Sequence, residues 1–242
     1  MNDIQPIYQT LKKALYQQVN EHDLFNEPVI IRCKPITSEE AIGNPEEKDY
    51  PIIKGKESIV QAEFKDVKGH AFSDSYGDKN YTIKQLLDLP LDTNRNRADF
   101  IATLNAIYRS LGLCDRTVHC RDQEPKTCAK NLDRLFSPGA KVLLIGLQPR
   151  FLEYLKIQHA VRCVDMDTDN IGSMTSGIIV ESPHATSQAI EWCDVIFATG
   201  STLVNGTLSA FIDTGKPVIF YGVTVAAAAI ILNIPRYCEY GH

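Results

Sequence analysis

Apolar and polar positions along this chain keep two different rhythms. In the second half, short runs rich in β-branched residues and leucine alternate with stretches whose apolar residues recur every three or four positions. The first pattern suits buried strands and the second suits helices. KVLLIG (141–146), AVRCVDMD (160–167), SGIIVESPH (176–184), DVIFATG (194–200) and KPVIFYG (216–222) read as strands. FLEYLKIQ, ATSQAIEWC and VTVAAAAIILN read as helices, as does a stretch from about 202 to 214 with Leu203, Thr207, Leu208, Phe211 and Ile212 on one face. Such alternation predicts βαβ units, right-handed crossovers and a mainly parallel sheet in a Rossmann-like sandwich.

The first half is ordered differently. A helix over about 3–20 presents Ile4, Tyr8, Leu11, Leu15 and Val19 on one face. PVIIRCKPI reads as a strand, and a polar loop carrying Asn44, Asp49, Lys54 and Lys56 follows as a solvated lid. SIVQAEFKD and GHAFSDSY read as paired strands around Val67, Lys68 and Gly69, with helices near 82–87 and 97–111 after them. Strands followed by helices predict α+β. The joining segment is expected to hold a helix from Pro125 to Phe136, since proline suits a first helical turn and Ser137-Pro138-Gly139 stops one. The reading is therefore α/β: an α+β domain over 1–113, a linker with a helix over 114–138, and a Rossmann-like domain over 139–242.

A chain of 242 residues buries enough surface to fold without a metal or disulfide. Its 25 basic and 30 acidic residues leave a net charge of −5, which argues against nonspecific nucleic-acid binding. No apolar run approaches the ~18 residues of a membrane span, and the N-terminus lacks the order of a signal peptide. A cytoplasmic protein is the expectation. The seven cysteines are odd in number, irregularly spaced and form no CxxC pair, so reduced thiols are expected rather than a disulfide framework.

In an open parallel sheet, ligands bind beyond the carboxyl ends of the strands. Four polar turns would converge there. The first starts at Gly146, but GLQPRF is not the glycine fingerprint of a dinucleotide site. The second carries Asp165, placed where an acid holds a ribose, although an exposed Asp-rich turn fits equally. The same DMDTDN run lacks the glycine and the glutamate of a calcium loop. The third, ATGSTLVNGTL, sets Thr199, Gly200, Ser201, Thr202 and Asn205 at a predicted helix N-terminus, where free N–H groups favour an anion. One such residue would suffice as a cap. The fourth carries Gly222 and Thr224. In the first half, Asn105 lies on an apolar helix face, where a buried amide needs partners: it either ties the halves together or faces a ligand. His119, Cys120 and Cys128 in the linker are candidate soft-metal ligands, against a plain packing role.

The order D-x-I-x-x-T-G-S-T-L-V-N-G-T, then PVIFYGVT, then RYC-x-x-G resembles the Rossmann-like family known as "putative heavy-metal chelation". LNAIY (104–108) is similar to a segment of that family's preceding domain. The resemblance implies an α+β domain like the N-terminal domain of enolases, a partly methyltransferase-like Rossmann domain, and a site in the cleft between them. It implies a role in making or handling a metal-chelating compound, pterin-like or siderophore-like. Enolase chemistry does not transfer, because its catalytic barrel is absent.

The leading expectation is a small-molecule enzyme or ligand handler, with an anionic or metal-chelating ligand in the cleft. The alternatives are a methyltransferase using S-adenosylmethionine with Asp165 on the ribose, and a noncatalytic metal-binding protein using His119, Cys120 and Cys128. Reaction type, cofactor and oligomeric state stay open.

Overall fold

The computed structural model describes residues 3–26, 31–50, 52–53 and 57–242. Helix α1 (Gln5–Glu21) buries Tyr8, Leu11, Leu15 and Val19, the face its periodicity marks out. Strands β1 (Ile31–Ile36), β2 (Ser58–Phe64), β3 (Val67–Ser73) and β4 (Lys79–Tyr81) form a sheet ordered β3-β2-β1-β4, with antiparallel pairing throughout. Short helix α2 (Ser38–Ile42) starts at a Thr37–Glu40 capping box. The hairpin differs from expectation. Its turn is Lys65-Asp66, both at positive φ, with Phe64 opposite Val67. Two left-handed residues match the twist of the flanking strands, and Val67, Lys68 and Gly69 become strand.

Helices α3 (Ile83–Asp88) and α4 (Asn94–Ser110) follow, each with a threonine N-cap, Thr82 and Thr93. Every residue of α4 from Ala98 to Tyr108 is buried. It lies between the antiparallel sheet on one side and later helices on the other, so no face is left for water. At Gly69 the contact is backbone to backbone: a Cβ there would stand 2.2 Å from the Ala102 carbonyl oxygen. The linker helix is shorter than expected. Helix α5 (Glu124–Lys130) ends at Asn131, and a 3-10 turn, Leu132–Arg134, replaces its remainder.

The second sheet is built from β5 (Lys141–Ile145), β6 (Ala160–Val164), β7 (Met174–Thr175), β8 (Ile178–Glu181), β9 (Val195–Thr199), β10 (Val218–Tyr221) and β11 (Arg236–Tyr237), in the order β11-β10-β9-β5-β6-β8-β7. All neighbours are parallel except the β7–β8 hairpin. Helices α6 (Pro149–Gln158), α7 (Thr186–Trp192), α8 (Ser209–Ile212) and α9 (Ala226–Leu232) connect them. The mixed α/β architecture with a mainly parallel sheet is the one the alternation predicts.

Strand side chains alternate between two cores. Val142, Leu144 and Phe197 face α5 and α6, where Phe197 packs edge-on or tilted against Phe136, Phe151 and Tyr221. Leu143, Ile145 and Ile196 face the other way, into one continuous cluster with α9, α4 and α1. The antiparallel sheet and the parallel sheet thus share a core. The strand order turns back between β5 and β9, which opens a crevice at their carboxyl ends.

Candidate functional site

A cavity of about 1020 Å³ occupies that crevice. Gly146 and Leu147 beyond β5, Asp165 beyond β6, Thr199 and Ser201 beyond β9, and Gly222 and Thr224 beyond β10 supply one wall. The first half supplies the other through Ile42, Tyr50, Ile52, Glu57, Phe72 and Asp74. The four turns separated in sequence do converge, because parallel strands end on one edge.

The ATGSTLVNGTL stretch is not one helix. Gly200–Leu203 is a 3-10 turn and α8 holds only Ser209–Ile212. Gly206, at φ 81°, breaks the stretch between them. A four-residue turn has little dipole to offer, so the expected anion seat at a long helix N-terminus is absent. The hydroxyls divide their tasks. Thr202 is 1% exposed and donates to the Thr199 carbonyl at 2.7 Å. The Thr199 hydroxyl accepts from the Ser201 N–H and donates to the Ser201 Oγ. Asn205 Oδ1 accepts from both the amide and the hydroxyl of Thr207, at 3.1 and 2.7 Å. Ser201 and Asn205 stay half-exposed on the cavity side. From behind, the Tyr8 hydroxyl donates to the Leu203 carbonyl and Arg97 Nε donates to that of Val204. Helices α1 and α4 therefore hold the turn in place, a role no local motif announces.

Asn105 does not line the cavity. It is 0% exposed; its Nδ2 lies 3.0–3.2 Å from the carbonyls of His70, Val223 and Thr224, and its Oδ1 accepts from Ala227 N–H. It caps α9, which has no side-chain cap of its own. All its capacity is spent on joining the halves, which corrects its assignment to the ligand. Thr224 is nearly sealed as well, its Oγ1 accepting from Phe72 N–H.

Gly146 (φ 85°) is tightly fitted, since a Cβ would come 2.8 Å from Thr199 Cγ2. Gly222 is left-handed too, at φ 92°. Both Asp165 oxygens already accept a backbone N–H, from Leu147 and Asp167. A ribose there would have to share them.

Sequence reasoning missed Glu57, Asp74 and Tyr50, which share no motif with the polar turns. Among the described residues, the cavity is lined by the carboxylates Glu57, Asp74, Asp165 and Asp167 and by no lysine or arginine. Burial, together with Asp165, Asp74 and Asp167, pushes the Glu57 carboxyl up to about 7. Lys54 and Lys56 of the expected lid lie outside the described residues. The described part of that loop is latched: Arg150 of α6 pairs with Asp49 at 2.6 Å, and Lys126 with Glu47 at 2.7 Å.

His119, Cys120, Cys128 and Cys238 line the other end. Among the described residues no group of three or more His, Cys, Asp or Glu side chains is arranged to hold a metal ion. The His119 ring pairs with the Cys120 carbonyl, and burial raises the Cys120 thiol and keeps His119 neutral. Six cysteines are free; Cys33 is not among those whose side chains are described.

His119 N–H donates to His70 Nδ1, so the His70 proton sits on Nε2, facing Gln61 Oε1 at 3.1 Å. Burial depresses this ring to about 3. Its native value lies below the usual ~6.5, so its contribution is complete above pH ~6.5 and is lost as pH falls towards 3. Acid denaturation followed between pH 7 and 4 should show a steeper fall in stability for the native chain than for His70→Gln. Equal slopes would show that His70 is not the acid-sensitive group.

The profile of the family described as "putative heavy-metal chelation", DUF364, matches residues 131–234. The match covers less than half of the 242 residues, and it is that part of the chain that is similar to the family. The DUF364 match spans β5 through α9 and contains all four cavity turns of the parallel sheet. A DUF364 protein of Pyrococcus horikoshii, described as having unknown function, is 14% identical and superposes with a TM-score of 0.53, covering 90% of this chain and 79% of its own. One from Desulfitobacterium hafniense DCB-2, also described as having unknown function, is 13% identical with a TM-score of 0.49, over 74% and 72%. No curated protein matches the chain. The P. horikoshii likeness covers both sheets and supports the fold. No described helix is long and apolar enough to cross a membrane.

Proposed function

We propose that this protein binds a small molecule in the cavity between its two sheets and, like the family that its second half resembles, serves in making or handling a metal-chelating compound, pterin-like or siderophore-like. The observation that carries this reading is the 1020 Å³ cavity at the strand-order reversal, closed by residues of the first half. A volume of that size suits an organic ligand better than a bare ion. Its polar contacts would come from Ser201, Asn205, Gly146 and Gly222, with Thr199, Gly200, Thr202, Asp165 and Thr224 shaping the wall behind them. We place the division of the chain within 114–138, with 1–113 and 139–242 as two domains that meet in the shared core.

Native mass spectrometry of the purified chain should reveal a retained small molecule. Ser201→Ala and Asn205→Ala should each lower its retention ~2–10-fold, the worth of one neutral hydrogen bond. Neither should shift the unfolding midpoint much. Thr202→Ala should do the reverse, costing ~1 kcal/mol of stability while leaving retention intact. Retention unchanged in both cavity variants would refute the placement of the ligand.

A further inference from the structure

Two carboxamides on the cavity wall are pinned the same way round. Gln148 follows β5 and caps α6, its Oε1 accepting the Phe151 N–H at 2.7 Å. Asn205 follows β9, and its Oδ1 accepts both the N–H and the hydroxyl of Thr207. A backbone N–H can only donate, so the atom facing it in each side chain must be the amide oxygen. The NH2 end of each is left for the cavity, which both residues line half-buried. Strands β5 and β9 are neighbours, and the strand order reverses between them, so the two amides belong to one crevice.

Neither NH2 group is committed to a good acceptor. Gln148 Nε2 meets none among the described residues. Asn205 Nδ2 meets only the Met166 sulfur, at 3.3 Å. A thioether is a weak acceptor, and Met166 is a flexible side chain 58% exposed, so an arriving oxygen displaces it readily. The backbone beside them has no such donors to give: the N–H groups of Gly146, Leu147 and Gly222 are spent on Val164, Asp165 and Tyr237. Phe151, whose N–H Gln148 caps, lines the cavity with Tyr221 and Tyr237, its ring edge-on to theirs at 5.1 and 6.2 Å. An aromatic wall of this kind suits a flat apolar body.

We propose that Gln148 and Asn205 form a donor pair that reads an uncharged carbonyl group carried on a flat apolar body, an aryl ketone or aryl amide. This rests on the reading of the cavity as a small-molecule site and names the chemical class of its ligand. A carbonyl oxygen carries two lone pairs, one for each amide. The acceptor is uncharged because both donors are neutral and no lysine or arginine among the described lining residues balances an anion. Gln148 is thereby a binding residue as well as a helix cap. The two roles use opposite ends of one side chain, which makes them separable: exchanging the NH2 for a second oxygen keeps the cap and removes the donor.

Three fluorescent naphthalenes with one body test this: prodan, which bears a propionyl ketone; its analogue with a propyl group in place of the propionyl; and 6-dimethylamino-2-naphthoate, which bears a carboxylate. Prodan should bind at least ten-fold more tightly than either of the others. Its emission, which moves to the red when the ketone accepts a hydrogen bond, should be red-shifted in the complex. Gln148→Glu and Asn205→Asp should each weaken prodan ~3–10-fold, the worth of one neutral hydrogen bond, and leave the propyl analogue unchanged. Together they should erase the preference and the red shift. The unfolding midpoint should hold in both variants, because the oxygen that accepts the backbone N–H remains; Gln148→Leu should lower it. Equal binding of prodan and the propyl analogue, preference for the carboxylate, or an undiminished preference in the double variant overturns the donor pair. The cavity reading is judged separately. Equal binding of the ketone and propyl probes, blocked by Ser201→Trp, keeps the small-molecule site and refutes the carbonyl; no probe binding together with no molecule retained in native mass spectra removes both.

Discussion

Asn105→Leu is expected to destabilise the protein by on the order of 4 kcal/mol, enough to unfold much of the population at physiological temperature. The substitution keeps the branched shape of the side chain, replaces the amide by bulkier methyls and so adds some overpacking to the loss of hydrogen bonds. What it leaves behind is costly: the Ala227 N–H loses its acceptor, and the carbonyls of His70, Val223 and Thr224 lose a shared donor, all in a site with no solvent. Each buried group stranded in this way costs ~1–3 kcal/mol. The effect should reach beyond α4, because α9 loses the cap that comes to it from the other half of the chain. Equilibrium denaturation followed by far-UV circular dichroism measures it. A loss under ~1 kcal/mol would mean that packing alone holds the two sheets together.

Gly69→Ala should be at least as damaging, through sterics rather than hydrogen bonding. The added methyl carbon would lie 2.2 Å from the Ala102 oxygen and 2.4 Å from the Ala106 nitrogen. Both are backbone atoms of a helix buried on all sides, so no rotamer change relieves the clash. The helix must move off the sheet, opening voids across a shared core, for a cost of ~3 kcal/mol or more. Gly215→Ala makes the comparison. Nothing lies within 4 Å of its Cβ position, and only its φ of 72° resists the change, so ~1 kcal/mol is expected. Thermal unfolding of the two variants side by side separates close approach from backbone conformation. Similar midpoints would contradict the close packing of β3 on α4.

Much of this architecture is legible along the chain. Lys141–Ile145, Val195–Thr199 and Val218–Tyr221 stand where continuous apolar runs place them, because strands buried on both faces need no polar alternation. Helix α1 is legible from four residues at helical spacing, and α3 and α4 stand near the expected 82–87 and 97–111, although α4 starts earlier, at Asn94 behind its Thr93 cap. The polar turns were legible as a group, since parallel strands with helical crossovers must end on the same edge. The helix expected over 202–214 was not correctly readable. Its apolar spacing is real, but Leu203 and Leu208 are buried around a kink at Gly206, where the carbonyls of Leu203 and Val204 are taken by Tyr8 and Arg97. Contacts from residues over a hundred positions away outweigh a local period.

Local pattern thus determined the elements, their parallel arrangement and the edge where the turns gather, because burial of alternating or helical faces is a short-range constraint. Tertiary structure alone decided which polar residues face space and which face partners. Asn105 and Thr202 look like ligand residues in one dimension and are fully occupied in three. Glu57, Asp74 and Tyr50 carry no motif, yet they line the cavity, because the surroundings of a half-buried carboxylate such as Glu57 or a buried phenol such as Tyr50 assemble only when the two sheets meet.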